Sequence, residues 1–243
     1  MAKLTCLTWN IHRCRGRDGI IDTHRTSNAL IDLLTRNPAD IVILTEADAE
    51  APPYGAILDM ERIEAATGLC HAHGDPERRW SAESHGFLGT IVLHAPHWQS
   101  TDAHLLDLPG HYPRGATIMT FQSGSMKFRL VATHLSLGQV LRTAQMRAVG
   151  QYLTRKARLP TVLAGDLNEW RPWGGFAFSK RVTGVDLTGP ARRSFPAINP
   201  VLPLDRVMTT APAKVTAARV ITSDILRSTS DHLPLWAEIT LGA

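Results

Sequence analysis

Apolar positions along the chain switch between a period of two and a period near 3.6, which divides it into alternating strands and helices. Leu4 to Asn10 alternates as a strand, and Trp9-Asn10-Ile11-His12 hands it to a loop carrying Arg13, Arg15 and Arg17, so Asn10 is expected at a strand exit. Residues 22–36 predict a helix on the spacing of Leu30, Ile31, Leu33 and Leu34, closed by Pro38. The continuous, largely β-branched run Ile41-Val42-Ile43-Leu44-Thr45 suits a strand buried on both faces, and Glu46 is the first charge after it. A short helix over 59–67 stops at Gly68, and strands are expected over 69–73, 86–94 and 98–106.

Residues 115–121 and 126–134 flank a glycine-containing turn and read as an antiparallel hairpin. The start of one arm and the finish of the next lie on the same side, which pairs Arg114 with His134. Leu141, Ala144, Ala148, Val149, Tyr152 and Leu153 mark a helix running until Pro160. The next run, Thr161-Val162-Leu163-Ala164, stops at Gly165 and presents Asp166 and Asn168, with Gly165 expected to keep a side chain away from a ligand. Residues 169–199, with Trp170, Trp173, paired glycines and prolines, read as loop or short helix. Strands over 204–208, 214–222 and a last one ending near Leu241 follow, the last led in by Ser230-Asp231-His232-Leu233-Pro234. No repeat, linker or low-complexity tract interrupts the chain, so one domain over 1–243 is expected.

Composition narrows the class. With 243 residues, 44% hydrophobic and 20% charged, the chain can bury a large core. The start Met-Ala-Lys-Leu-Thr-Cys enters a strand pattern at once and no apolar run reaches the roughly 18 residues of a membrane span, so neither a signal peptide nor a transmembrane segment is expected. Three cysteines, Cys6, Cys14 and Cys70, fit reduced structural thiols, which points to the cytoplasm. A net charge of +4 and a pI near 9.2 permit an anionic substrate without requiring nucleic acid.

The strand boundaries carry the chemistry. Asn10, Glu46, His134 and Asp166 with Asn168 stand at exits, Asp205 and Asp231 with His232 at entries, and they share one rim only if the strands are partly antiparallel. Carboxylates and amides suit a hard divalent cation, magnesium or manganese rather than zinc. Glu46 is the primary candidate ligand; Asn10, Asp166 and Asp231 are further ligands, direct or through water. Asp166 is the candidate for orienting the attacking water, and Asn168 and Asn10 for donating hydrogen bonds to phosphate oxygens. Asp205 is placed to orient His232, Arg114 to grip anionic oxygens, and His134 to contact phosphate or act as general acid.

In this order along the chain, Thr8-Trp9-Asn10, Thr45-Glu46, Tyr112-Pro113-Arg114-Gly115-Ala116, Thr133-His134-Leu135, Gly165-Asp166-Leu167-Asn168, Leu204-Asp205-Arg206 and Ser230-Asp231-His232-Leu233-Pro234 resemble the motifs of the endonuclease/exonuclease/phosphatase superfamily, the group of deoxyribonuclease I. The resemblance implies an α/β (α+β) fold, a four-layer sandwich of two packed mixed β-sheets flanked by helices, with a metal-dependent phosphoester site on one rim. Thr133-His134-Leu135 stands where apurinic endonucleases carry a tyrosine-bearing strand, which leans the likeness towards deoxyribonucleases, sphingomyelinases and small phosphodiesterases. Gly89-Thr90-Ile91 replaces a family Gly-Asn-Ala, and the loop Arg13 to Arg17 is expected to serve in place of the lost amide.

The expected substrate is a phosphodiester or phosphomonoester of a small molecule or lipid headgroup. The alternative is a DNA or RNA nuclease, for which Arg78, Arg79 and a base-stacking Trp170/Trp173 pair would add to the loop arginines. A third reading is a non-catalytic binding module on the same fold. For Cys70-His71-Ala72-His73, core or surface histidines are expected rather than a zinc site, since the alternation leaves the two histidines without further ligands.

Overall fold

The computed structural model describes residues 3–242. Eleven strands form two mixed sheets. The first contains β1 (Lys3–Asn10), β2 (Ile41–Thr45), β3 (Cys70–His71), β4 (Ile91–His94), β10 (Lys214–Val220) and β11 (Leu235–Thr240), in the order β10-β11-β1-β2-β4-β3. The second runs β5-β6-β7-β8-β9, with β5 at Gln99–Leu108, β6 at Arg114–Ser123, β7 at Met126–Thr133, β8 at Thr161–Asp166 and β9 at Asp205–Thr209.

Alternation decides what each face meets. On β1 and β2, Leu4, Cys6, Ile41 and Ile43 pack against Met119, Phe128, Leu130, Val162, Ala164 and Val207 of the other sheet. The residues between them, Leu7, Trp9, Val42 and Leu44, pack instead on α1 (Thr23–Arg36) and α2 (Met60–Thr67) through Leu30, Leu33, Leu34 and Ile63. The outer face of the second sheet, with Ile118, Val131 and Leu163, is covered by Met146, Val149 and Leu153 of α3 (Gln139–Arg155). The result is the expected four-layer sandwich.

Helix ends follow the local signals. The Asp22 and Asp59 side chains accept from the backbone N–H of Arg25 and Arg62 to start α1 and α2, and Gly68 ends α2 in the left-handed region. The strand expected over 86–94 begins only at Ile91, because Phe87 to Thr90 closes a tight turn with Leu88 and Gly89 at positive φ. That over 69–73 shrinks to two residues, and the helix expected up to Pro160 ends at Arg155. In residues 169–199 only α4 (Lys180–Thr183) is helical, while α5 (Asp224–Thr229), started by the Ser223 hydroxyl, buries too few residues to leave a periodic trace.

Topology then collects the strand ends. β1 and β2 run parallel, as do β7 and β8, while β11, β6 and β9 oppose their neighbours. The exits of β1, β2, β7 and β8 therefore share a rim with the entries of β6, β9 and β11.

Candidate active site

Asn10 and Asp166 continue the inward rows Leu4-Cys6-Thr8 and Val162-Ala164 by the period of two, so each side chain emerges at the top of the space between the sheets. Asp205 lies opposite Asp166 across the β8–β9 pair. Gly165 has φ +142, and a Cβ there would stand 1.9 Å from the Thr133 carbonyl oxygen. The glycine thus serves close approach of β7 and β8, not clearance for a ligand as its sequence position suggested. Glu46 and Asn168, each just past its strand, adopt positive φ of 50° and 52°, a rare backbone for residues with a side chain.

Asp166 is the hub. Its Oδ2 accepts from Asn10 Nδ2 at 3.0 Å and lies 3.3 Å from His134 Nε2 and 3.8 Å from His232 Nε2, while its Oδ1 accepts from the Asn168 N–H at 3.1 Å. Asn10 Nδ2 also reaches Glu46 Oε1 at 3.2 Å, and Asn10 Oδ1 accepts from the His12 N–H. Asn168 Nδ2 donates to the Leu135 carbonyl at 2.8 Å, which fixes the amide orientation and leaves its second proton facing His134 Nε2 at 3.2 Å. His232 Nδ1 lies 2.8 Å from Asp205 Oδ2, which also accepts from the Ser194 hydroxyl. The Ser230 hydroxyl accepts from the His232 N–H and donates to the Asn10 carbonyl, Trp9 Nε1 donates to the His232 carbonyl, and the Phe195 ring packs 4.8 Å from the imidazole.

Electrostatics separates the two histidines. Burial works against a charged His232, but Asp205 and Asp166 outweigh it and raise the imidazole to about 10. His134 goes the other way: burial first, then Arg114 and His232, hold it well below the ordinary value, so it is neutral at pH 7. Burial also lifts the Asp166 carboxyl, with the His232 cation pulling against that and Asp205 adding to it.

Beside this hub lies a corner of mixed charge. Residues 12–14 make one tight turn in which His12, Arg13 and Cys14 all have positive φ, and it sets the Arg13 guanidinium 3.1 Å from Glu46 Oε2 and 3.6 Å from Asp48 Oδ1. Burial raises Asp48 to about 6 against the pull of Arg13. Arg114 is partly buried in the field of Glu46, Asp166 and Asp48, and its Nε has no partner among the described residues. Asp231 sits at the outer edge, its carboxylate 3.6 Å from His12 Nδ1.

The rim thus gathers Asn10, Glu46, His134, Asp166 and Asn168 into one hydrogen-bonded set, with the Asp205–His232 pair tied to it through Ser230, Arg114 facing it and Asp231 at its margin. Sequence reading missed Asp48, Ser194 and the clasp of Arg13 on Glu46. Only Asp48, two residues beyond Glu46, left a usable trace. The ligand atoms of Asp166, Asp205 and His232 lie within 4.8 Å of one another, but His232 Nδ1 is held by Asp205 Oδ2 at 2.8 Å and that oxygen also accepts from the Ser194 hydroxyl, so these donors are already spent within the protein. Glu46 presents hard oxygens, and its carboxylate and that of Asp48 already converge on the Arg13 guanidinium, while Asn10 turns its amide oxygen to the His12 N–H and its Nδ2 to Glu46. That corner fits a divalent cation. At Cys70-His71-Ala72-His73 the two imidazoles are engaged with backbone, His71 Nε2 lying 2.7 Å from the His85 carbonyl and His73 Nδ1 2.6 Å from the Arg78 carbonyl.

The family model described as "Endonuclease/Exonuclease/phosphatase family" matches residues 7–232. No curated protein matches the sequence. Among solved structures, an endonuclease/exonuclease/phosphatase from Bacteroides vulgatus superposes with a TM-score of 0.78 at 13% identity, covering 99% of this chain and 100% of that one. Another from Beutenbergia cavernae gives 0.68 at 22% identity, over 100% of this chain and 72% of that one. D. rerio TDP2 complexed with a single-strand DNA product gives 0.72 at 18% identity, over 99% and 100%. At such identities the structural likeness speaks for the fold, and the family match, spanning most of the sequence, speaks for descent: the chain belongs to the endonuclease/exonuclease/phosphatase family.

Proposed function

We propose that the protein is a divalent-metal-dependent phosphoesterase that cleaves a phosphodiester or phosphomonoester of a small molecule or lipid headgroup by attack of water. The carrying observation is the convergence of two imidazoles on one buried carboxylate: Asp166 Oδ2 lies 3.3 Å from His134 Nε2 and 3.8 Å from His232 Nε2, whose other ring nitrogen is held 2.8 Å from Asp205, and burial disfavours charge on His134 while the two aspartates favour it on His232.

In this reading Asp166 orients the attacking water and takes its proton. The gap of 3.8 Å from His232 Nε2 to Asp166 Oδ2 exceeds a hydrogen bond, which leaves the imidazolium N–H free for a phosphoryl oxygen. Asp205 keeps that imidazole charged and in one orientation. His134, neutral at pH 7, contacts phosphate rather than delivering a proton, because its low basicity leaves no proton to give. Asn168 spends both amide protons on Leu135 and His134, and Asn10 directs its own to Glu46 and Asp166. Both amides therefore position catalytic groups, and phosphate contact passes from them to Arg114, Arg13 and His232.

Glu46 would hold the cation, with Asn10 joining it by turning its amide oxygen from the His12 N–H and Asp231 reaching it through water. Bound magnesium or manganese would supply charge neutralisation at the phosphoryl oxygen and the leaving group. Among the described residues no helix is long and apolar enough to cross a membrane, and the free thiols of Cys6 and Cys14, buried and raised by that burial, fit a cytoplasmic setting.

The test is magnesium-dependent hydrolysis of bis-p-nitrophenyl phosphate, with Asp166→Asn as control. Turnover that persists in that variant, or proceeds equally in a chelator, sinks the reading. The basic turn at Arg13 and the likeness to a DNA-bound structure support a second reading, a nuclease acting through the same residues. Polynucleotide cleavage falling steeply with salt would favour it.

A further inference from the structure

Three loops beside the site are locked together from below. Gln145 of α3 donates to the carbonyl of Pro109 and to the Ser136 hydroxyl, and accepts from the Ser136 N–H. Arg142 holds the carbonyls of Ser136 and Leu137 and pairs with Glu169 at 3.2 Å. Arg171 then links Glu169 to Gln139. Each loop adjoins a site residue in sequence: 109–113 runs into Arg114, 135–138 leaves His134 and enters α3, and 170–176 follows Asn168 by way of Glu169.

Above this polar frame the loops and the first turn of α3 expose large apolar side chains. Val140 is 86% exposed, Tyr112 79%, Leu137 77% and Trp173 72%, with Trp170 half-exposed beside them. These segments contain no acidic side chain except Glu169, which is fully buried between two arginines, and Arg171 lies 4.5 Å from the Trp170 ring centroid. An apolar and aromatic collar with a cation among its rings has no fold-stabilising use for that exposure.

We propose that this collar docks the protein on a phospholipid bilayer carrying anionic headgroups, so that the phosphoester at the site belongs to a lipid. The inference rests on the phosphoesterase reading and names its substrate class. Tryptophan and tyrosine favour the headgroup level, where a ring can sit between hydrocarbon and water. Leu137 and Val140 gain by entering the acyl boundary, and Arg171 by meeting anionic lipid. A base-stacking platform fits less well: two of the most exposed members have no π face, and Arg171 already covers part of Trp170. Because the loops are already fixed, docking orders little new chain.

The experiment measures cosedimentation with vesicles of equimolar phosphatidylcholine and phosphatidylglycerol, with a single-stranded oligonucleotide as the competing probe. The wild-type protein is expected to partition onto the vesicles, and a Val140→Ser/Trp173→Ser double variant to partition about tenfold less, with unchanged turnover of bis-p-nitrophenyl phosphate. Vesicle binding by a protein that cleaves no phosphoester keeps the docking surface and removes the enzymatic reading beneath it. Absence of vesicle binding, equal binding by the double variant, or oligonucleotide binding that the double variant loses would each overturn the proposal.

Discussion

His232 turns one nitrogen to Asp205, at 2.8 Å, and the other towards Asp166, stopping at 3.8 Å. The first contact is a charge-assisted hydrogen bond; the second is too long for one, so the Nε2 proton is not committed to Asp166.

Replacing Asp205 by asparagine should therefore act through His232. With the imidazole raised to about 10, wild-type kcat/KM should fall only as pH climbs through that region. In Asp205→Asn the alkaline limb should move down, with kcat lowered by about a hundredfold or more. The sign for stability is the same: a raised value contributes fully below the ordinary imidazole range and is lost as pH rises through about 10. A pH–rate profile with an unmoved alkaline limb would remove Asp205 from this role.

Asp166→Asn keeps the shape of the side chain but removes the charge that lies between the two histidines. Turnover is expected to drop by about two to four orders of magnitude. Circular dichroism and thermal unfolding should show the fold retained, which separates a lost base from a lost structure.

Arg13 competes for the corner assigned to the cation, since its guanidinium lies 3.1 Å from Glu46 Oε2. In Arg13→Gln the carboxylate is released, and magnesium titrated calorimetrically should bind about fivefold to tenfold more tightly, on the scale of one partly exposed ion pair. Phosphate affinity should move the opposite way. Unchanged magnesium affinity would mean that Arg13 and the cation do not share Glu46.

Much of this site could be read before any coordinates, because Asn10 and Asp166 follow from strand alternation and Glu46 and Asp205 from the ends of apolar runs. The Arg13 clasp could not. It needs three successive residues with side chains at positive φ, which local preference opposes and only the packed rim can enforce. Gly165 was found for the wrong reason, since its crowding partner is Thr133 on a strand separated from it by α3. Ser194 depends on tertiary docking of the 194–197 loop, where Ala197 bonds the Asp231 carbonyl and the Ser194 carbonyl bonds the Leu233 N–H.

Away from the rim, His73 predicts an acid response. Burial lowers its imidazole to about 3, while Nδ1 bonds the Arg78 carbonyl at 2.6 Å. A depressed value means stability that is full above the ordinary 6.5 and lost as pH falls towards 3, at about 1.4 kcal/mol per pH unit for one proton. Urea unfolding at pH 7 and pH 5 should show that loss in the wild type, with a shallower loss in His73→Gln. Equal slopes would mean that His73 takes up a proton in the folded state as readily as in the unfolded one.

Glu169 and Arg142 are both almost wholly buried, and their 3.2 Å contact underlies the loops that carry Trp170 and Leu137 and the first turn of α3 with Val140. Glu169→Gln leaves Arg142 facing a neutral amide in a site with little water, and breaking one side of such a pair costs about 3–5 kcal/mol. Arg142→Leu should cost a similar amount. The double variant Glu169→Leu/Arg142→Leu should recover part of the loss, because no unpaired charge is then left inside, and a denaturant-based double-mutant cycle measures the coupling. If each single change costs under about 1 kcal/mol, the pair is solvated and the loops above it are not held by it. If the singles are costly and vesicle partition falls with them while Val140 and Trp173 are intact, the polar frame beneath the collar sets its shape.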